Sequence, residues 1–149
     1  MIFLHINSKS NNAQLFNKYV EEGKQIFILF YMEGCGPCNM TRPEWKKIEN
    51  VMGNIKNKNV VIVDVDQEIL EEIKYLQSNP AGYPTMRYIS NKGKTSEDYN
   101  GERNIDAFVS WIKSKIANPK LKFRKMKKSR RKGKTKKSKS KTRKMRYKY

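Results

Sequence analysis

Residues 26–31 read Ile-Phe-Ile-Leu-Phe-Tyr, an apolar run in which no second residue is polar. A strand that alternates apolar and polar shows one face to water, whereas one that does not must be covered on both faces. Residues 60–63, Val-Val-Ile-Val, form a second such run. Two strands of this kind demand the centre of a sheet with helices packed on each side. The intervening segments supply those helices. Ser10, Asn11 and Asn12 offer capping side chains ahead of Leu15, Phe16, Tyr19 and Val20, which recur at helical spacing, and Gly23 supplies a stop. Trp45, Ile48 and Met52 mark a second helix ending near Gly53. Asp66 is placed to cap a third, with Ile69, Leu70, Ile73 and Leu76 on one face and Glu68, Glu71, Glu72 and Lys74 on the other.

The rest of the body completes the pattern. Residues 2–6 are short, apolar and strand-like. Asn79-Pro80-Ala81-Gly82-Tyr83-Pro84 cannot be helical and reads as a loop. Residues 85–89 and 94–99 flank Asn91-Lys92-Gly93, a hairpin signal. Ile105, Phe108, Val109, Ile112 and Ile116 give a last amphipathic helix. The order β-α-β-α-β-α-β-β-α predicts an α/β fold: a mixed sheet with helices on both faces. Trp45 and Trp111 sit at helical positions and read as packing residues.

Charge divides the chain at residue 118. Residues 119–149 hold 18 of the 33 Lys and Arg and none of the 14 Asp and Glu, which leaves residues 1–118 with a net charge of +1. A segment with so few apolar side chains and such self-repulsion cannot offset its chain entropy, so a disordered polybasic tail is expected, with a frayed extension of the last helix near Leu121 and Phe123. Eighteen uncompensated cations attract polyanions. Lys127, Lys128, Arg130, Arg131, Lys132, Lys134, Lys136 and Lys137 are the candidate contacts, and residues 127–132 fit a nuclear import signal. Nucleic acid is the first expected partner, because neutralising phosphate needs no fold; an anionic membrane surface is second. With only Phe123, Tyr147 and Tyr149 available for stacking, reading of base sequence is not expected.

No apolar run approaches the ~20 residues a spanning helix needs, and two cysteines exclude a multi-disulfide scaffold. The first residues, Met-Ile-Phe-Leu-His-Ile, lack a basic leader, so no secretory signal is expected. A cytoplasmic or nuclear location, and not the endoplasmic reticulum, is therefore expected. Lys, Asn and Ile are abundant, a composition that goes with AT-rich coding.

The chemistry is at Cys35-Gly36-Pro37-Cys38, where a buried strand gives way to a helix. Unpaired N–H groups and the helix dipole at such a terminus stabilise an anion at Cys35, and a thiolate is the nucleophile in disulfide exchange. Pro37 costs nothing in a first turn, where its missing N–H is unused. Cys38, one turn in, is within reach of Cys35. A zinc site would need four ligands, and the chain has two cysteines and His5, so it would require ligands from another copy. A passive core pair is the other alternative. His5, alone on a strand, reads as structural or exposed.

These residues resemble the thioredoxin superfamily, and within it a catalytic domain of protein disulfide isomerase, over residues 1–118. Cys35-Gly36-Pro37-Cys38 is the motif of thioredoxin itself; isomerases usually have His at the third position. Arg42-Pro43-Glu44-Trp45 resembles the isomerase Ala-Pro-Glu-Trp/Tyr, with Pro43 placed to kink the active-site helix. Gly82-Tyr83-Pro84-Thr85 is similar to Gly-Tyr-Pro-Thr, and Tyr99-Asn100-Gly101-Glu102-Arg103 to Tyr-x-Gly-x-Arg. The resemblance implies a thioredoxin fold and a redox disulfide between Cys35, the nucleophile, and Cys38, the resolving thiol. It implies a cis Pro84 facing the cysteines, with substrate held at Tyr83 and Pro84, and an Arg103 that swings toward Cys38. Gly36 and Pro37 complete the active-site turn. Protein disulfides or dithiols are the implied substrates, a reductase or glutathione the electron donor, with no cofactor or metal and a monomeric state. A thioredoxin domain with a basic tail and this composition is also similar to thioredoxin-domain proteins of large DNA viruses, which adds packaging in a virion to the expected locations.

The departures from the family pattern bear on mechanism. Gly34 stands where Trp usually precedes the first cysteine, so the rim should be flatter and less apolar. Leu29 replaces a buried acid six residues before that cysteine, and Ile62 replaces its accompanying lysine. Glu33 is a candidate substitute base, although charged loop residues are commonly just solvated. Two function classes are thus expected: a thiol–disulfide oxidoreductase, acting as a reductase with a localising tail, or a non-enzymatic nucleic-acid-binding or packaging protein on the same scaffold.

Overall fold

A computed structural model describes residues 1–117; the expected polybasic tail, including Lys127, Lys128, Arg130, Arg131, Lys132, Lys134, Lys136 and Lys137, lies outside the described residues. In chain order the elements are β1 (Ile2–Ile6), α1 (Ala13–Glu21), β2 (Gln25–Tyr31), α2 (Gly36–Met52), β3 (Val60–Asp66), a 3-10 turn (Gln67–Glu72), β4 (Thr85–Ser90), β5 (Thr95–Asp98) and α3 (Ile105–Ile116). The five strands form one sheet in the order β1-β3-β2-β4-β5. β3 pairs in parallel with β1 and β2, while β4 runs antiparallel to β2, and β5 to β4. This is the thioredoxin fold, a mixed sheet flanked by helices. The two non-alternating runs occupy its centre. All seven residues of β3 and six of seven in β2 are buried.

Each face of the sheet has its own core. On one face Ile26, Ile28, Phe30, Val61, Val63 and Val65 pack against Phe16 and Val20 of α1 and Ile69 of the 3-10 turn. On the other, Phe27, Leu29, Val60 and Ile62 meet Trp45, Ile48 and Met52 of α2 and Phe108 and Ile112 of α3. Each fully buried side chain of this size contributes roughly 1.5–3 kcal/mol. Trp45 is edge-on to Phe108, and Trp111 is edge-on to Phe27, so both tryptophans are packing residues.

Two sequence expectations change. The third helix is a single 3-10 stretch that stops at Ile73, whose backbone is extended. Asp66 caps it as expected, accepting from the Glu68 N–H at 3.1 Å. Buried Asn17 of α1 then intervenes: its amide donates to Glu72 O at 3.1 Å and its oxygen accepts from Lys74 N at 2.8 Å. Those are the backbone groups a longer helix needs for itself. Ile69 and Ile73 still reach the core, so the apolar spacing reports contact with the sheet but not the helix. At the start of α1 the cap is also redistributed. Asn11 accepts from Ala13 N at 3.2 Å, while Asn12 donates to His5 O at 3.1 Å and ties the helix to β1.

Candidate active site

The site forms where β2 leaves the sheet. After Tyr31 the chain turns through Gly34, whose φ of +75° is a conformation that side-chain-bearing residues rarely adopt. Nothing lies within 4 Å of where a Cβ would be at Gly34, so this part of the rim is open. Cys35 is the N-cap of α2, Gly36 opens the helix, and Pro37 lies in the first turn, where its lack of an N–H costs nothing. Pro43 lies inside α2. Thr41 Oγ1 donates to Pro37 O at 2.9 Å and holds that turn closed.

Cys35 and Cys38 are joined as a disulfide, with Cα atoms 5.2 Å apart. Cys35 Sγ accepts from the Cys38 N–H at 3.3 Å, so the sulfur takes the place of a capping oxygen at the positive end of the helix. Cys38 is wholly buried, whereas Cys35 is 9% exposed. The Tyr83–Pro84 peptide bond is cis, and the Tyr83 carbonyl oxygen lies 3.8 Å from Cys35 Sγ. Tyr31, Met32 and Tyr83 pack around the two cysteines.

The wider motifs have structural reasons. Glu44 of Arg42-Pro43-Glu44-Trp45 accepts from the Ile105 N–H at 2.9 Å and pairs with Lys47 at 2.5 Å, joining α2 to the start of α3. The Lys47 bond, then the Ile105 N–H, hold its carboxyl below the usual glutamate range. In Tyr99-Asn100-Gly101-Glu102-Arg103, the Tyr99 ring lies over Gly101. A Cβ there would clash with the Tyr99 hydroxyl, so any larger residue needs that ring to shift. Tyr99 donates to Glu102 O at 2.8 Å and stacks near Phe108 and Trp111.

Arg103 is exposed, and no hydrogen bond or ion pair engages it among the described residues. Leu29 is fully buried beneath α2 among Trp45, Phe108 and Met86; its partner on β3 is Asp64, while Ile62 pairs with Phe27 and is buried in the same cluster. Glu33 is ion-paired: Arg42 Nη1 lies 3.1 Å from its Oε1. The Arg42 guanidinium sits 3.8 Å above the Tyr31 ring. His5 is paired with buried Asp64 across β1 and β3. Sequence reasoning passed over both Arg42 and Asp64. The i,i+4 spacing of Cys38 and Arg42 is the signal that could have identified the first.

A sequence model of the family described as Thioredoxin matches residues 7–114. Among curated proteins, the chain is 33% identical over 100 residues to Protein disulfide-isomerase 1 of Dictyostelium discoideum, covering 65% of this chain and 26% of that protein. It is 31% identical over 105 residues to Probable protein disulfide-isomerase A6 of Medicago sativa, covering 68% of this chain and 28% of that one. The chain thus spans about a quarter of the length of these relatives. Among solved structures, the first thioredoxin domain of mouse Protein disulfide-isomerase A4 aligns with a TM-score of 0.56 at 21% identity, over 77% of this chain and 75% of that one, a likeness of fold. The chain belongs to the thioredoxin family, and Cys35–Cys38 is its Cys-x-x-C pair.

Proposed function

We propose that the protein reduces disulfides in other proteins and that its basic tail holds it on a polyanion. The observation that carries the first part is the placement of Cys35 Sγ at the N-terminus of α2, against the Tyr83 carbonyl. An extended substrate segment laid along Tyr83 and Pro84 presents its disulfide to that sulfur. In the reduced enzyme the Cys35 thiolate attacks one substrate sulfur. The substrate S–S bond breaks, the departing thiolate takes a proton from solvent, and a Cys35–substrate disulfide forms. Cys38 gives its proton to water, attacks Cys35 Sγ and expels the second substrate thiolate. The substrate has gained two electrons and the Cys35–Cys38 pair has lost two. A dithiol donor, a reductase or glutathione, returns them.

One contribution to the direction comes from the second residue between the cysteines. Pro37 offers no cation to stabilise the reduced thiolate, which favours the reducing end of the family range, from about −270 mV for thioredoxin to about −180 mV for the isomerase. This reading goes with a reducing compartment, cytoplasmic or nuclear. The test is the Cys35–Cys38 potential against glutathione. A value near about −270 mV supports a reductase, and Pro37→His should raise it; a value near about −180 mV favours disulfide formation instead.

The tail reading rests on charge alone: 18 cations and no anions in residues 119–149. Nucleic acid is its proposed partner, bound through phosphates without regard to base sequence.

A further inference from the structure

Arg42 is out of keeping with its surroundings. It stands on α2 one turn after Cys38, a spacing that places side chains side by side with about 5–6 Å between Cβ atoms. Its guanidinium lies 3.8 Å above the ring of Tyr31, and Tyr31 shares a buried cluster with the two cysteines. The Arg42 side chain is 23% exposed, so its charge is less screened than one in open water. Its one ion-pair partner among the described residues, Glu33, is 64% exposed, and its charge is correspondingly better screened.

The other charges near this spot are negative. Glu33 comes from the loop before Cys35, and Asp64 and Asp66 from β3. Burial pushes the Tyr31 phenol up. All three carboxylates add to that rise, and Arg42 is the one neighbour that opposes it. No lysine or histidine stands between the cysteines, because Pro37 occupies that place, and Arg103 is exposed and unengaged in the oxidised structure.

We propose that Arg42 is the cation that supports the negative charge of the reduced Cys35–Cys38 pair, and that Glu33 holds it in check. Arg42 is a positioning residue: it touches neither sulfur in the described contacts and acts through its field across Tyr31. The proposal rests on the redox reading of the cysteine pair. Glu33 sets how much of the cation's field is left over for the sulfurs.

The test is the pH profile of iodoacetamide alkylation of the reduced full-length protein, read without any substrate. The profile therefore judges Arg42 even if the protein proves unable to reduce a protein disulfide. Arg42→Met should move the midpoint up and slow alkylation below the midpoint by about threefold to tenfold. Glu33→Gln should move it down, and Arg42→Lys should stay near the wild type. A merely structural clamp between loop and helix would make Arg42→Met and Glu33→Gln shift the profile in the same direction. That result, or no shift in either, overturns the proposal. Should Arg42→Met fail to fold, Glu33→Gln decides alone: a lower midpoint supports the proposal, and an unchanged or higher one overturns it.

Discussion

Leu29 and Asp64 stand side by side on β2 and β3, one a wholly buried apolar residue beneath the active-site helix, the other a buried carboxylate engaged by His5. The acid therefore lies one strand away from the position six residues before Cys35 and is held from the β1 side. Leu29→Glu should restore a nearby base and raise turnover at neutral pH. It should also lower stability by roughly 1–3 kcal/mol, since the new carboxyl enters a site lined by Trp45, Phe108 and Met86. Steady-state rates and thermal melts on the same preparation check both halves; an unchanged rate means that proton removal from Cys38 is not limiting.

Gly101 should be intolerant of even a methyl group. An added Cβ would clash with the Tyr99 hydroxyl, and that ring packs against Phe108 and Trp111. Gly101→Ala should cost about 1–3 kcal/mol by overpacking. In a Tyr99→Ala background the same change should cost much less, which a double-mutant cycle in urea measures.

Glu44 should contribute to the acid limb of stability. Its folded carboxyl is held below its ordinary value of 4.5 by Lys47 and by the Ile105 N–H. A depressed folded value means that the contribution is present above the unfolded value and lost as pH falls through the folded one. Melting temperatures of wild type and Glu44→Gln should therefore differ at neutral pH and converge at strongly acid pH. A constant gap would show that the carboxylate charge is irrelevant to the α2–α3 junction.

The readable parts of the sequence were those fixed by local pattern. The unbroken apolar runs at residues 26–31 and 60–63 place β2 and β3 at the sheet centre, because burial on both faces has no other explanation. The cysteine turn is similarly local: the spacing and the strand before it suffice to put Cys35 at a helix N-terminus. What escaped depends on distant partners. Asn17 takes the hydrogen bonds of residues 72 and 74 and ends a helix whose apolar spacing looks continuous. Glu44 and Gly101 are recognisable as motif residues, but their reasons, an α3 terminus and an aromatic ring, appear only once α2, β5 and α3 are packed. The pairing of Glu33 with Arg42, nine residues on, could not be inferred from the loop alone.

Removing residues 119–149 should separate the two proposed activities. The described body holds every strand and helix of the fold, so the shortened protein should still reduce a small disulfide at nearly the full-length rate. Duplex binding should collapse with the loss of 18 positive charges. In the intact protein the slope of log K against log salt should be about −5 or steeper, with little dependence on base sequence. Phosphorylation at Ser129, Thr135, Ser138, Ser140 or Thr142 should weaken binding, each group adding roughly −1.5 to −2 charge. A truncated protein that binds as tightly as the whole would remove the tail from the account.

The central claim is that Cys35 attacks a protein disulfide and Cys38 resolves the product. Insulin reduction with a dithiol donor tests it most directly, using wild type, Cys35→Ser and Cys38→Ser. The account predicts turnover by the wild type, none by Cys35→Ser, and a trapped mixed disulfide on Cys35 in Cys38→Ser. A Cys35→Ser protein as active as the wild type, or a wild type no faster than the donor alone, would contradict it.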